Sequence, residues 1–279
     1  MSFNNGLPIF LKWAGGKRSL IPEFVKLFPQ KIDKYFEPFL GSGAIFFYLK
    51  KQNPDMHAVL SDTNNDLINC FIFVRDKPED IIRELNKHEK RFKGNSKYYY
   101  KMRERFNNSK NKFEKAQLLI FLNKTCFNGL YRVNSKGEFN VPQGSYKHPK
   151  LCEAEVIMAA SKLLKGIDIK CLDYKEAVAK ASEGDFVYFD PPYEPISKTS
   201  YFNSYTKDSF TFENQKELAK IYRNLIRLGC DVLLSNSKHC EIEKLYPENK
   251  NIYANRMINC NGEKRGKIAE IIVSNLRRV

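Results

Sequence analysis

The sequence predicts an α/β fold, a doubly wound mixed sheet interrupted by a basic, mostly helical insertion. Three observations carry this expectation. A short apolar run over 35–39 meets Gly41-Ser42-Gly43 and then a helical pattern from Ala44, the strand–glycine loop–helix unit that opens such sheets. Strand-like runs return at 167–172, 186–189, 232–234 and 268–273, with a helical stretch over 214–228. Between the two groups, residues 78–122 are polar and helical in pattern and hold no good strand. A length of 279 residues suits one core with one insertion.

The elements follow in order. After the glycine loop a second strand is expected at 57–60, ending on Ser61-Asp62, and then a helix over 66–73. The insertion is placed at 76–150, so that 1–75 and 151–279 are the two parts of the core. Within it, Asn134-Ser135-Lys136-Gly137 has turn composition between 130–133 and 138–141, which predicts a β-hairpin.

Hydrophobic residues make up 42% of the chain, enough for a core, and the net charge is +15. Such a surplus favours a polyanionic partner, most commonly nucleic acid. From Arg83 to Lys150 there are 17 Lys or Arg and five acidic residues, so a quarter of the chain holds a surplus of 12. A charge run is usually a solvated face. Here it is interleaved with rings, among them Tyr98, Tyr99, Tyr100, Phe127, Tyr131 and Tyr146, which suits phosphate contact beside base stacking. There is no run of 18 apolar residues to span a membrane, and Met1 to Pro8 does not read as a secretory signal. The seven cysteines include no C-x-x-C pair and the four histidines are scattered. The expectation is a cytoplasmic, reduced protein with no structural metal.

The strongest motif is Asp190-Pro191-Pro192-Tyr193, directly after the apolar run 186–189. Two prolines cannot continue a strand's hydrogen bonding, so the chain leaves the sheet there and Asp190 sits at the carboxyl edge, where α/β sheets bind ligands. The arrangement suits methylation of an aromatic amine, whose lone pair is delocalised into its ring. A carboxylate and a proline carbonyl accepting its two hydrogens localise that pair and stabilise the positive charge that develops. Tyr193 can stack on a base flipped from a helix. The run Phe36-Glu37-Pro38-Phe39-Leu40-Gly41-Ser42-Gly43-Ala44 lets a ligand approach the backbone closely, although a single G-x-G is weak alone. Asp62, about 20 residues on at the next strand end, can accept from both ribose hydroxyls of a nucleoside. Phe10 to Lys17 holds the chain's one Trp, Trp13, beside Gly15-Gly16. Asp173 is another strand-end acid, equally readable as a turn residue.

In this order the motifs resemble the Dam-type adenine-N6 DNA methyltransferases, the D12 class with the α-group arrangement. The resemblance rests on FLKWAGGK (10–17), FEPFLGSGA (36–44), SDTNNDLI (61–68), NGLYRVN (128–134), GEFNVPQGSYKHP (137–149), YFDPPY (188–193), LLSNS (233–237) and GKIAEIIVSN (266–275). It implies a Rossmann-like core that uses S-adenosylmethionine, without a metal, on adenine in double-stranded DNA. Trp13, Lys17, Asp62 and Asp190 would bind the cofactor, with Phe39, Gly41 and Gly43 shaping its pocket and Asp173 holding its adenine. Asp190, Pro191, Pro192 and Tyr193 would receive the target adenine. Phe127 would wedge into the duplex and Asn128 would fill the space of the flipped base. Leu130, Arg132 and Pro142 would read bases, Lys12 would reach the outer guanine, and Tyr146 and Lys147 would touch the DNA backbone. The resemblance also implies the site GATC.

Many relatives carry Arg where this chain has Ser145, a departure that bears on affinity and salt tolerance. Cytosine-N4 enzymes typically have Ser in place of Asp190, and RNA or protein-glutamine enzymes Asn. A non-catalytic DNA-binding regulator would be expected to lose Asp190 or the glycine loop. The chain is expected to act as a monomer, with no direct complex with a cognate restriction endonuclease. The setting stays open between a restriction system, a solitary enzyme and a phage protein.

Overall fold

Seven strands form one sheet: β1 (Lys34–Glu37), β2 (His57–Asp62), β3 (Asp168–Cys171), β4 (Phe186–Phe189), β5 (Asp231–Ser237), β6 (Lys250–Asn255) and β7 (Lys267–Ser274). Their order is β3-β2-β1-β4-β5-β7-β6. The first five are parallel, while β7 runs antiparallel to both β5 and β6. The computed structural model describes residues 6–146, 149–193, 210–255 and 267–276. The helices are α1 (Ile21–Phe24), α2 (Ala44–Gln52), α3 (Asn65–Asp76), α4 (Pro78–Phe92), α5 (Ser96–Asn108), α6 (Lys112–Thr125), α7 (Ala154–Leu164), α8 (Tyr174–Val178), α9 (Phe212–Arg227) and α10 (Cys240–Leu245).

Every residue of β4 is buried, because the strand is central and helices cover both faces of the sheet. Side-chain alternation divides the core accordingly. Tyr35, Phe186, Tyr188 and Leu233 join one apolar cluster, whereas Phe36, Val187, Phe189 and Leu234 join the other. The strand order reverses between β1 and β4, so the crevice beyond their carboxyl ends is the topological switch point of the sheet.

The basic segment enters between α3 and α7 as three helices. Each begins where the sequence supplies a start signal: Pro78 in the first turn of α4, and the Asn95 and Asn111 side chains accepting from the Tyr98 and Glu114 amides. Residues 116–123 of α6 are buried without interruption, since α3, α4 and α5 all pack against it. Its apolar surface therefore runs around the helix, and the cluster it belongs to is continuous with one face of the sheet.

The expected hairpin forms, as a short one. The Gly137 amide meets the Asn134 carbonyl at 2.9 Å, and the arms pair around the Val133–Phe139 bridge, with the Asn134 amide on the Glu138 carbonyl at 2.9 Å and the Asn140 amide on the Arg132 carbonyl at 3.0 Å. The outward edge of the second arm is held by α5. Asn107 brackets Phe139, accepting from its amide at 2.8 Å and donating to its carbonyl at 3.1 Å, and Tyr99 donates to the Val141 carbonyl at 2.8 Å. The strand expected over 35–39 ends at Glu37, because Pro38 has no amide to donate.

Candidate active site

Strand β1 delivers Glu37 and the glycine loop to the switch point. Gly41 and Gly43 hold positive φ angles of 48° and 67°, and a Cβ on Gly41 would stand 3.0 Å from Trp13 Cδ1. Only glycine lets the loop lie this close beneath the indole. The Gly41 amide donates to Asp62 Oδ2 at 3.2 Å and the Asn64 amide to Oδ1 at 2.9 Å, which fixes the acid at the end of β2. Burial pushes the Asp62 carboxyl up, and these amides pull it back toward the ionised form.

Trp13, Lys17, Glu37, Phe39, Gly41, Tyr188 and Asp190 line one cleft. Lys17 crosses it, with Nζ 2.8 Å from Asp190 Oδ1, 2.8 Å from the Gly15 carbonyl, 3.9 Å from Glu270 Oε2 and 4.8 Å from the centre of the Tyr193 ring. Ser235 Oγ donates to the same Asp190 Oδ1 at 3.0 Å while accepting from Tyr188 OH at 2.9 Å. Both described contacts fall on Oδ1, and the side chain keeps 18% of its surface accessible, so the carboxylate can still meet a ligand. Burial raises the Asp190 carboxyl above the ordinary range, opposed by Lys17 and Ser235.

The turn after Asp190 is held from behind. Gln215 Nε2 donates to the Pro192 carbonyl at 3.3 Å, and Asn236 Nδ2 donates to Gln215 Oε1 at 2.9 Å, with both amides fully buried. Tyr193 OH donates to Glu270 Oε2 at 2.7 Å, which orients the ring.

Asp173 sits at the end of β3, beside the strand that carries Asp62, but its side chain turns to the first turn of α8 and accepts from the Lys175 amide at 3.0 Å. It does not line the cleft with Trp13 and Asp190. Phe39 stacks on the next residue, Tyr174, at 5.5 Å.

The basic insertion brings a second group to the same side. The Cys126–Gln143 bridge and the bonds Phe127 amide to Pro142 carbonyl (2.9 Å) and Gly144 amide to Thr125 carbonyl (2.8 Å) close a loop at the end of α6. Asn128 holds a positive φ of 55° there, and Phe127 is 40% exposed on a well-anchored turn. Arg132 is held by Asn140 Oδ1 at 2.8 Å, Leu130 is half-buried, and Tyr146 lies under Lys12 Nζ at 5.1 Å. Tyr131 stacks on Trp13 at 5.5 Å. Lys147 lies outside the described residues.

Sequence reasoning missed Glu37, Gln215, Ser235, Asn236 and Glu270. Glu37 is buried with its carboxyl pushed up to about 8 by desolvation, and it accepts from Tyr35 OH and the Phe46 amide. Ser235 and Glu270 fall inside the LLSNS and GKIAEIIVSN runs, but one polar residue on a strand carries no spacing of its own.

Similarity to known proteins assigns the chain to a family. The family model for D12 class N6 adenine-specific DNA methyltransferases matches residues 13–259. The chain is 42% identical to the type II methyltransferase M.MjaIII of Methanocaldococcus jannaschii, covering 95% of this chain and 98% of that one. It is 42% identical to M1.LlaDCHI of Lactococcus lactis, covering 95% and 94%, and 37% identical to the DNA adenine methylase of Escherichia coli, covering 94% and 93%. The chain therefore belongs to the D12 class of N6 adenine-specific DNA methyltransferases.

Proposed function

We propose that the enzyme transfers a methyl group from S-adenosylmethionine to N6 of an adenine flipped from double-stranded DNA, at GATC. The observation that carries this reading is the Asp190–Tyr193 turn, held at the switch point with Lys17 and Ser235 on one carboxylate oxygen of Asp190 and the other clear of both. The residues around the cleft suit the cofactor: the glycine loop passes so close to Trp13 that a Cβ would be crowded out, and Asp62, at the neighbouring strand end, offers a fixed carboxylate for a ribose. Bound there, the cofactor supplies an electrophilic methyl group. Asp190 Oδ2 and the Pro191 carbonyl accept the two N6 hydrogens and localise the nitrogen lone pair. Lys17 and Ser235 hold Oδ1, which fixes the acid's orientation. The proton released from N6 passes to Asp190, a carboxyl that burial already makes more basic than usual. Tyr193, oriented by Glu270, stacks on the base.

In this reading residues 76–150 form the recognition domain between core parts 1–75 and 151–279. Phe127 wedges into the duplex, Asn128 supports the gap, Leu130, Arg132 and Pro142 read bases, and Lys12 reaches the outer guanine. Tyr146 and Lys147 touch phosphates. The type II names of two relatives support a role beside a restriction endonuclease. In this reading the chain acts as a cytoplasmic monomer. Single-base mapping of N6-methyladenine on plasmid DNA tests the site: methylation at GATC is expected, and marking of any other sequence refutes the specificity.

A further inference from the structure

We infer that Asn123 is a positioning residue for sequence choice, the joint that sets the Lys12 side chain in register with the loop at the end of α6. The inference rests on the proposed reading of Lys12 and Arg132 as base readers.

Asn123 lies on the last turn of α6 and is 1% exposed. A buried amide in a helix commonly satisfies itself on nearby backbone. All three described bonds of this side chain leave the helix. Its Oδ1 accepts from the Lys12 amide at 2.8 Å, and its Nδ2 donates to the Lys12 carbonyl at 2.8 Å and to the Gly129 carbonyl at 2.9 Å. Asn123 thus brackets both main-chain groups of one residue 111 positions away and ties it to the loop that carries Leu130 and Arg132. The fit is close enough to demand glycine opposite: Gly129 has a φ of +65°, and a Cβ there would stand 2.7 Å from Lys12 Cδ and 2.9 Å from Lys12 Cβ.

The joint affects the two readers unequally. Arg132 has its own support in Asn140, and the loop closes on itself through the Phe127–Pro142 and Thr125–Gly144 bonds. Lys12 is exposed, and Asn123 is what holds its backbone to α6. Loosening the joint therefore frees the Lys12 ammonium to meet more than one base while Arg132 keeps its aim.

The test compares kcat/KM at saturating S-adenosylmethionine on a GATC duplex and on duplexes altered at the first or the fourth base pair. The full chain and its Asn123→Ser, Gly129→Ala and Lys12→Ala variants are measured together. Asn123→Ser and Gly129→Ala should each lower discrimination at the first pair by about tenfold and change the fourth by less than about twofold. Gly129→Ala disturbs the joint from the other side, so the question stays answerable if Asn123→Ser folds poorly. The inference is overturned if both variants lose rate equally on every duplex, or keep first-pair discrimination while Lys12→Ala loses it. If Lys12→Ala itself leaves the first pair strictly chosen, the underlying assignment of Lys12 as a reader is what fails.

Discussion

At the scale of residues, the chemistry turns on how one acid is kept charged inside protein. Desolvation raises the Asp190 carboxyl, and the Lys17 ammonium at 2.8 Å is its principal counterweight. Removing that cation leaves desolvation opposed only by the Ser235 hydroxyl, so the acid ionises only at higher pH. A carboxylate beside a cation is typically shifted by roughly one to three pH units. Lys17→Met, assayed at saturating cofactor, should therefore move the acid limb of the kcat profile upward by about one unit or more. An unmoved limb would show that Lys17 does not tune Asp190. Local motifs made much of this site legible: the glycine loop, Asp62 and Asp190 each end a strand, and the sheet topology brings strand ends together. Ser235 and Glu270 stayed illegible because they reach Asp190 and Tyr193 only through the register of β5 and β7.

At the scale of elements, the helical pattern expected over 78–122 is weakest in α6. It is buried on nearly every side, so it lacks the polar face that marks a helix, whereas α4 shows a clear stripe of Ile81, Leu85, His88 and Phe92. β6 escaped notice because Lys250–Asn255 is a short edge strand whose apolar residues, 252–254, are consecutive and do not alternate. The helices α4, α5 and α6 meet at His88, which is stacked on Phe121 and bonded through its two ring nitrogens to Tyr98 OH at 2.7 Å and Gln117 Oε1 at 2.6 Å. Gln117 Oε1 can only accept, so Nε2 carries the proton and Nδ1 accepts from Tyr98. Burial lowers the His88 pKa below the ordinary histidine range. The neutral ring is thus favoured in the fold, and its stabilisation is complete above the unfolded pKa and lost as pH falls below it. Thermal unfolding between pH 7.5 and 5 should show the melting temperature of wild type falling more steeply than that of His88→Gln. Equal slopes would mean that His88 does not report protonation of the insertion.

At the scale of the whole molecule, the surplus charge and the chemistry sit on different parts of one chain, joined where Tyr131 stacks on Trp13 and Asn123 holds Lys12. Lys97 and Lys101 are exposed on α5, whereas Arg105 on the same helix is already paired with Glu114. Reversing both lysines to Glu should weaken binding to every sequence alike. It should also reduce the slope of log K against log salt by about two if each meets one phosphate. An unchanged slope would place the DNA on another face. The proposed chemistry depends on Asp190 as the acceptor for the adenine amine. It is tested most directly by the single-turnover rate of labelled methyl transfer from S-adenosylmethionine to a GATC duplex, measured for wild type and Asp190→Ala. Loss of one preorganised transition-state contact should slow transfer by roughly 10²–10³-fold or more, with N6-methyladenine as the wild-type product. An Asp190→Ala rate equal to wild type, or a product other than N6-methyladenine, would contradict it.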